Sequence, residues 1–200
     1  MFQLPLSSLV NRPLYKKAVY EKFNLKTAER DRFDADVSRM AIVAQISTKT
    51  VPALGEGKDV PTFYVLQVQM KRKDYDTKNI LMLHKLIPQH IVFALQYEQQ
   101  TQLCIFHTRL QQSEWMPEDS AVISLKGLTL DDVWNNIVAE IGNLDATSEE
   151  SIEQQIIKGE QRDRLLQQIE SLEKRCRAEK QTRKKYELHQ QIVKLKKLVI

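Results

Sequence analysis

The sequence predicts an α/β (α+β) protein: a small mixed sheet with flanking helices, followed by a long C-terminal coiled-coil helix. Two strand patterns enclose a helix pattern within residues 62–97, and heptad spacing of apolar residues runs through 165–199. Between these regions the composition changes from mixed to highly charged. We therefore expect two parts, a mixed α/β domain at residues 1–145 and a basic helical segment at 146–200.

The first predicted element is a helix that begins at Thr27. Its apolar residues lie three and four positions apart, as on one face of a helix, and the pattern fades near Thr48: Phe33, Val37, Met40, Ala41, Ala44. Residues 1–26 combine apolar anchors with a basic cluster that Pro13 interrupts. A loop rich in Pro and Gly follows at residues 52–61.

A strand, a helix and a second strand are predicted next. Residues 62–71 alternate between apolar and polar side chains, which indicates a half-buried strand. Asp76 or Thr77 can cap a short helix that Pro88 ends, and His90–Tyr97 has the apolar composition of a buried strand. Because a helical crossover joins the two strands, we expect them to be parallel.

An antiparallel hairpin and a final helix complete the predicted domain. Residues 102–108 pair with the preceding strand across a short polar turn. Two segments are candidates for further strands: Trp115 and Ala121–Leu125. Thr129 and Asp132 form a capping signal for a helix that Gly142 stops.

The segment beyond the polar joint at 143–151 carries two sets of heptad-spaced apolar residues. The residues of this seam are expected to carry protein association: Leu165, Ile169, Leu172, Leu188, Ile192 and Leu195. The two sets are out of phase, so the segment forms either one long helix with a polar interruption or two helices folded back on each other. Since Gly, Pro and Asn are missing from the charged stretch between them, we favour one helix that packs on a partner or on its own copy.

Positive charge is concentrated in the same segment. Residues 158–200 hold 13 Lys and Arg against 6 Asp and Glu, whereas residues 1–157 hold 17 against 20. Such a basic segment favours DNA backbone or an acidic protein as partner, and the alternative is a solvated helix face. The candidate contact residues are two clusters: Lys71, Arg72 and Lys73, and Lys180, Arg183, Lys184 and Lys185.

Motifs for catalysis, cofactors and metals are not recognisable in the chain. The four histidines have no ligand-like spacing, and Cys104 lies in a predicted strand as a small buried residue. We therefore expect no cofactor, no metal and no enzymatic activity. One alternative is a divergent metal-dependent nuclease that uses Lys71 with Asp74 or Asp76, although Gln67 and Gln69 occupy the strand positions where carboxylates would bind Mg²⁺.

A cytoplasmic location is expected. The apolar runs are too short for a transmembrane helix, and the N-terminus lacks the pattern of a signal peptide. Two distant cysteines, Cys104 and Cys176, do not form a disulfide framework.

Several short segments resemble an uncharacterised bacterial and archaeal family of unknown function that is about as long as this chain. The matching segments are Leu4-Pro5-Leu6 with Lys16-Lys17, Thr48–Val51, Ile87-Pro88 before the His90–Tyr97 strand, Leu172-Glu173-Lys174 through Gln181, and Lys185–Leu188. Thr182 and His189 depart from the family pattern in the tail. The resemblance implies a setting beside methyltransferase and helicase genes of restriction and phage-defence systems, and supplies no catalytic residues.

We therefore expect a non-enzymatic accessory or adaptor subunit of a DNA-associated restriction-modification or phage-defence complex. Its partners would be a protein, such as a helicase or methyltransferase subunit or a second copy of the chain, with the DNA backbone as a further candidate. No membrane contact is expected. The alternatives are the divergent nuclease and a purely structural oligomerisation module.

Overall fold

The computed structural model describes residues 2–145, 148 and 150–199. The chain folds as two compact units, residues 1–148 and 149–200. Part of the polar joint predicted at 143–151, namely residues 146, 147 and 149, lies outside the described residues. None of the described helices is both long and apolar enough to cross a bilayer.

One mixed sheet organises the first unit. Within the described residues its strands are β1 (Leu9–Leu14), β2 (Val37–Ile46), β3 (Phe63–Met70), β4 (His90–Tyr97), β5 (Gln100–His107), β6 (Arg109–Gln112) and β7 (Met116–Pro117). The strand order is β1-β2-β3-β4-β5-β6, and β7 also pairs with β5. β3 and β4 are parallel and the other pairs are antiparallel, which confirms the predicted mixed sheet, crossover and hairpin.

Six α-helices accompany these strands in the described part of the chain. They are α1 (Lys16–Lys22), α2 (Thr27–Asp36), α3 (Thr77–Leu86), α4 (Leu130–Gly142), α5 (Ile152–Ala178) and α6 (Thr182–Val199). Short 3₁₀ turns cover Leu6–Ser8 and Glu118–Ser120. The strand β1 and the helix α1 lie in the region where the sequence predicted no element.

The helices α3 and α4 begin at the residues that the capping signals indicated. Asp76 accepts a hydrogen bond from the backbone N–H of Lys78 at 2.9 Å, and Thr129 forms a capping box with Asp132. The helix α4 ends when Asn143 adopts a left-handed conformation, with φ of 50°. Gly142 is therefore the last helical residue rather than the stop itself.

The prediction of one helix from Thr27 to Thr48 is wrong beyond Asp36. The segment Val37–Ile46 is instead the strand β2, which pairs with both β1 and β3. The pairing register shifts between Val37 and Arg39 and again between Ile42 and Ala44, as at β-bulges. Each bulge adds a residue, so buried positions recur three apart and imitate the spacing of a helix. Residues 121–125 form no strand either.

Both faces of the sheet are covered in part by helices. On one face, residues from α1, α2 and α3 join alternate strand residues in a core cluster that includes Val19, Phe33, Leu66, Ile80, Leu83 and Phe93. On the opposite face, Trp134 of α4 packs against Phe63, with the ring centroids 5.6 Å apart. The first unit is therefore an α/β/α arrangement around the mixed sheet.

A buried carboxylate joins two connections of the first unit. Asp36, only 1% exposed, accepts hydrogen bonds from Nε of Arg72 at 2.5 Å, the backbone N–H of Asp76 at 2.9 Å and Nδ2 of Asn79 at 2.7 Å. The backbone carbonyl of Asp36 also accepts from the N–H of Lys71 at 2.7 Å. These bonds fix the junction of α2 and β2 to the connection between β3 and α3.

The second unit is a helical hairpin, so the preference for one uninterrupted C-terminal helix is wrong. The helix α5 ends at Ala178 and α6 begins at Thr182. No Gly, Pro or Asn makes the turn. Glu179 adopts an extended conformation and its carboxylate accepts the N–H of Gln181 at 2.9 Å, which stabilises the start of α6.

The two heptad sets pack against each other within the hairpin. Ile169 and Ile192 are buried, and the other seam residues, Leu165, Leu172, Leu188 and Leu195, are half-buried. The Nζ of Lys196 lies 2.8 Å from a carboxylate oxygen of Glu173 on the facing helix. Folding back allows each apolar stripe to cover the other, which a single helix of this polarity could not do alone.

Replacing Asp36 with Asn should lower the free energy of unfolding by about 2–3 kcal/mol. The variant removes the negative charge and replaces one carboxylate oxygen with an N–H₂ group. That group cannot accept the hydrogen bonds that Arg72, Asp76 and Asn79 donate to the carboxylate, so at least one donor loses its acceptor. Urea denaturation followed by circular dichroism measures the change. Asp31→Asn, on the exposed face of α2, is the matched control and should be near neutral. Equal stability of the two variants would contradict a structural role for Asp36.

Candidate functional site

The densest positive surface of the second unit lies where the hairpin turns. We call residues 174–185 the basic tip; they hold seven Lys and Arg against one Glu. The predicted contact residues Lys180, Arg183, Lys184 and Lys185 all belong to this segment. The turn adds the last basic residues of α5 to them: Lys174, Arg175 and Arg177. The hairpin thus concentrates charges that one straight helix would spread along about 17 Å, at 1.5 Å per residue.

Only part of the charge at the basic tip is neutralised locally. Lys174, Arg177 and Arg183 each lie within 4 Å of a carboxylate one helical turn away, with 72–94% of their side chains exposed. Such exposed pairs contribute little and exchange readily with other anions. Lys180, Lys184 and Lys185 have no ion pair within the described part of the chain. The basic tip therefore presents exposed cations to solvent.

The second predicted basic cluster, at residues 71–73, lies in the first unit directly after β3. Its side chains have neighbours: Arg72 binds Asp36, and the Nζ of Lys73 lies 5.8 Å from the ring centroid of Trp115. The side chain of Arg72 is still 54% exposed. This cluster combines a structural contact with partial exposure, whereas all seven Lys and Arg side chains of the basic tip are exposed.

The two glutamines at the strand positions of the nuclease alternative both donate hydrogen bonds to Gln96. The Nε2 of Gln67 donates to Oε1 of Gln96, and Nε2 of Gln69 donates to the backbone oxygen of Gln96 at 3.2 Å. Gln96 in turn donates to Glu118 at 2.9 Å, while Asp76 serves as the cap of α3. Among the described residues, no group of three or more His, Cys, Asp or Glu side chains is placed to hold a metal ion.

A groove of about 680 Å³ lies beside these glutamines, on the part of the sheet formed by β1, β2 and β3. We call it the sheet groove. Leu9, Pro13 and Val43 contribute apolar walls, and Arg39 and Gln69, which are partners in the β2–β3 register, contribute polar groups. The sequence pattern did not indicate this groove, because the spacing around Arg39 predicted a helix and no strand was predicted at β1.

Lys16 at the sheet groove is held by an acidic residue outside it. Its Nζ donates to Asp34 at 2.6 Å, and the hydroxyl of Tyr20 donates to the same carboxylate oxygen at 2.6 Å. Partial burial acts to raise the pKa of Asp34, but the hydrogen bonds from Lys16 and Tyr20 outweigh it and the pKa is lowered. Asp34 therefore stays ionised and fixes the position of Lys16.

Three of the four histidines line one cavity of about 320 Å³, which their sequence spacing did not indicate. His84 stacks on Phe106 with ring centroids 4.3 Å apart, and His90 meets Trp134 edge-on at 4.7 Å. His107 completes the set. Burial lowers the pKa of His84, and the neighbouring His90 lowers it further. Burial likewise lowers the pKa of His90, and the neighbouring His107 adds to that effect. Both imidazoles are therefore neutral in the folded protein near pH 7.

Cys104 is a buried structural thiol. Its Sγ lies 3.8 Å from the hydroxyl of Tyr75, which donates to Gln102 at 2.7 Å and accepts from Gln112 at 2.6 Å. Burial raises the pKa of Cys104 to about 12. The thiol therefore remains protonated at neutral pH, and Cys104 is buried in β5 as its strand position predicted.

These features define a mixed α/β domain with a largely apolar groove on its sheet, joined to a basic helical hairpin. The chain belongs to the family described as Domain of unknown function (DUF4391), whose model matches residues 2–198. The resemblance to a family of unknown function is thus confirmed, while its setting among restriction and defence genes stays a prediction. Comparison with curated proteins and with solved structures finds no match.

The histidine cavity should make the fold sensitive to mild acid. In the unfolded chain both His84 and His90 titrate near pH 6.5, whereas folding lowers their pKa, so the unfolded state binds more protons. Stability should be full above about pH 6.5 and fall as the pH drops below it. Thermal melts from pH 8 to 5 measure the effect. The double variant His84→Gln, His90→Gln should flatten the profile, and an unchanged slope would contradict this assignment.

The two cysteines should differ sharply in reactivity. In the native protein a disulfide reagent such as dithionitrobenzoate should modify the half-buried Cys176 within minutes and leave Cys104 intact until denaturant is added. The Cys176→Ser variant, assayed in the same way, isolates Cys104. Rapid reaction of that variant without denaturant would show that the Cys104 pocket opens in the native state.

Proposed function

We propose that the protein is a non-enzymatic accessory subunit that binds the DNA phosphate backbone through its basic tip. The observation that carries the proposal is the concentration of seven cationic side chains against one carboxylate at the turn of the hairpin. Lys and Arg that neutralise phosphates release condensed counterions, which supplies most of the free energy of sequence-independent binding.

The form of the basic tip fits backbone contact rather than reading of bases. Its cations are exposed and its one aromatic neighbour, Tyr186, follows the segment and is 64% exposed. Sequence readout depends on side chains held rigidly against base edges. Exposed Lys side chains such as Lys180 and Lys184 suit phosphates instead, and the binding should therefore tolerate any duplex sequence.

Protein association is the second part of the proposal. The seam residues cover each other between α5 and α6, so the outer surface of the hairpin remains for a partner. Exposed apolar side chains lie on this surface: Ile157, Leu166, Val193 and Leu198. A helicase or methyltransferase subunit, or a second copy of the chain, is the partner that we propose, in a complex that acts on DNA.

The divergent nuclease is less well supported than binding. The strand positions that would hold Mg²⁺ carry Gln67 and Gln69, whose amide N–H groups bind Gln96. Asp76, one of its two candidate acids, serves as a helix cap. Neutral amides are weaker ligands than carboxylates for a hard cation.

Neutralising four of the seven cations of the basic tip should weaken DNA binding and reduce its dependence on salt. The variant Lys180→Gln, Arg183→Gln, Lys184→Gln, Lys185→Gln should bind a 20-base-pair duplex about tenfold or more weakly at 50 mM salt, because four phosphate contacts are lost. The slope of log K against log salt should become shallower by about 3.6, since each of the four contacts contributes about 0.9. Fluorescence anisotropy of labelled duplex over a salt series measures both quantities.

The control removes the same charge from the first unit. Lys17, Lys22, Lys49 and Lys58 are all exposed, and their replacement with Gln should leave the slope unchanged. If both variants weaken binding equally, net charge rather than the basic tip is responsible. If the wild type binds no duplex at low salt, the DNA part of the proposal is wrong.

A further inference from the structure

We propose that the sheet groove binds a phosphorylated nucleoside, with the base against the apolar sheet surface near Gln67 and Gln69 and the phosphate beside Arg39. The inference goes beyond the proposed function. The groove is built from β1, β2, β3 and the start of α1 in the first unit, and needs no residue of the basic tip.

The size and position of the groove suit a ligand of this kind. Its volume of about 680 Å³ lies within the range of small-molecule sites, roughly 300–1,000 Å³. Gln67 and Gln69 lie in the second half of β3, which is parallel to β4. In open α/β sheets ligands bind towards the carboxyl ends of such parallel strands.

The charge of the groove favours an anion. Two cationic side chains, Lys16 and Arg39, line it, and no carboxylate does. Asp34 outside the lining already partners Lys16. Arg39, in contrast, is exposed and has no ion pair within the described residues. Its guanidinium is therefore the group that a phosphate would meet, in the bidentate geometry that Arg and phosphate form readily.

The two glutamines supply hydrogen-bonding groups for a planar base. Each donates a side-chain N–H to Gln96, and among the described residues the Oε1 of neither glutamine accepts a hydrogen bond. An amide oxygen accepts from exocyclic amino groups, and Gln recognises adenine in this way. Ala41, the register partner of Gln67, leaves the sheet surface beside that side chain low and apolar. A flat ring can therefore lie between Pro13 and Val43.

Two sources of this ligand share the same chemistry. The nucleotide is either free or an unpaired residue of a nucleic-acid strand. Isothermal titration with AMP, with adenosine and with a single-stranded hexanucleotide of deoxyadenosine separates these cases. The variants are Arg39→Glu and Gln69→Leu, and the control is Lys17→Glu, which makes the same charge change outside the groove. Matched thermal melts show that each variant folds.

We expect Arg39→Glu and Gln69→Leu to weaken binding of AMP or of the oligonucleotide about tenfold or more, with Lys17→Glu close to wild type. Binding of AMP identifies a free nucleotide, and binding of the oligonucleotide alone identifies a strand; both support the site. Adenosine should bind more weakly than AMP. Absence of binding to both phosphorylated probes at millimolar concentration, or equal loss in Arg39→Glu and Lys17→Glu, would overturn the inference. A variant without the basic tip charges should keep AMP binding, so the two proposals fail separately.

Discussion

The buried carboxylate of Asp36 is the contact on which the geometry of the first unit depends. It lies where the chain changes from helix to strand, and it is bonded to the loop after β3 and to the first turn of α3. A buried charge is stable only when its hydrogen bonds are complete, so the three donors and the carboxylate hold one another in place. The start of β2, which presents Arg39 to the sheet groove, and the basic loop at 71–73 take their positions from this arrangement.

The second unit has a different source of stability. Its helices are mostly charged, and each has one narrow apolar stripe that is insufficient for an isolated helix in water. The turn at Glu179 brings the stripes together, with the ion pair of Glu173 and Lys196 across the two helices. The cost is that basic residues converge at the turn and repel one another. An acidic or phosphorylated partner relieves this repulsion, which links the fold of the hairpin to its proposed function.

Local signals in the sequence predicted local structure well. Caps at Asp76 and Thr129 and the alternation along β3 were sufficient for α3, α4 and the parallel crossover. The failures depend on distant contacts. Bulges in β2 produced helical spacing, and the turn of the hairpin uses a Glu side chain rather than Gly or Pro. The sheet groove could not be predicted because β2 has the spacing of a helix and no element was predicted in the segment that forms β1.

The two anion sites should respond differently to ionic strength because their cations differ in environment. Salt screens charges in water beyond about 8–10 Å, so the exposed side chains of the basic tip would attract phosphates only while competing ions are dilute. In the sheet groove the ligand would also bury apolar surface, and salt does not weaken the free energy gained from that burial. Its phosphate would in addition accept directed hydrogen bonds from Arg39. A duplex held by the tip should therefore be released at moderate salt, while a nucleotide in the groove remains bound. Under the two proposals, this difference would give one protein two separable modes of contact with nucleic acid.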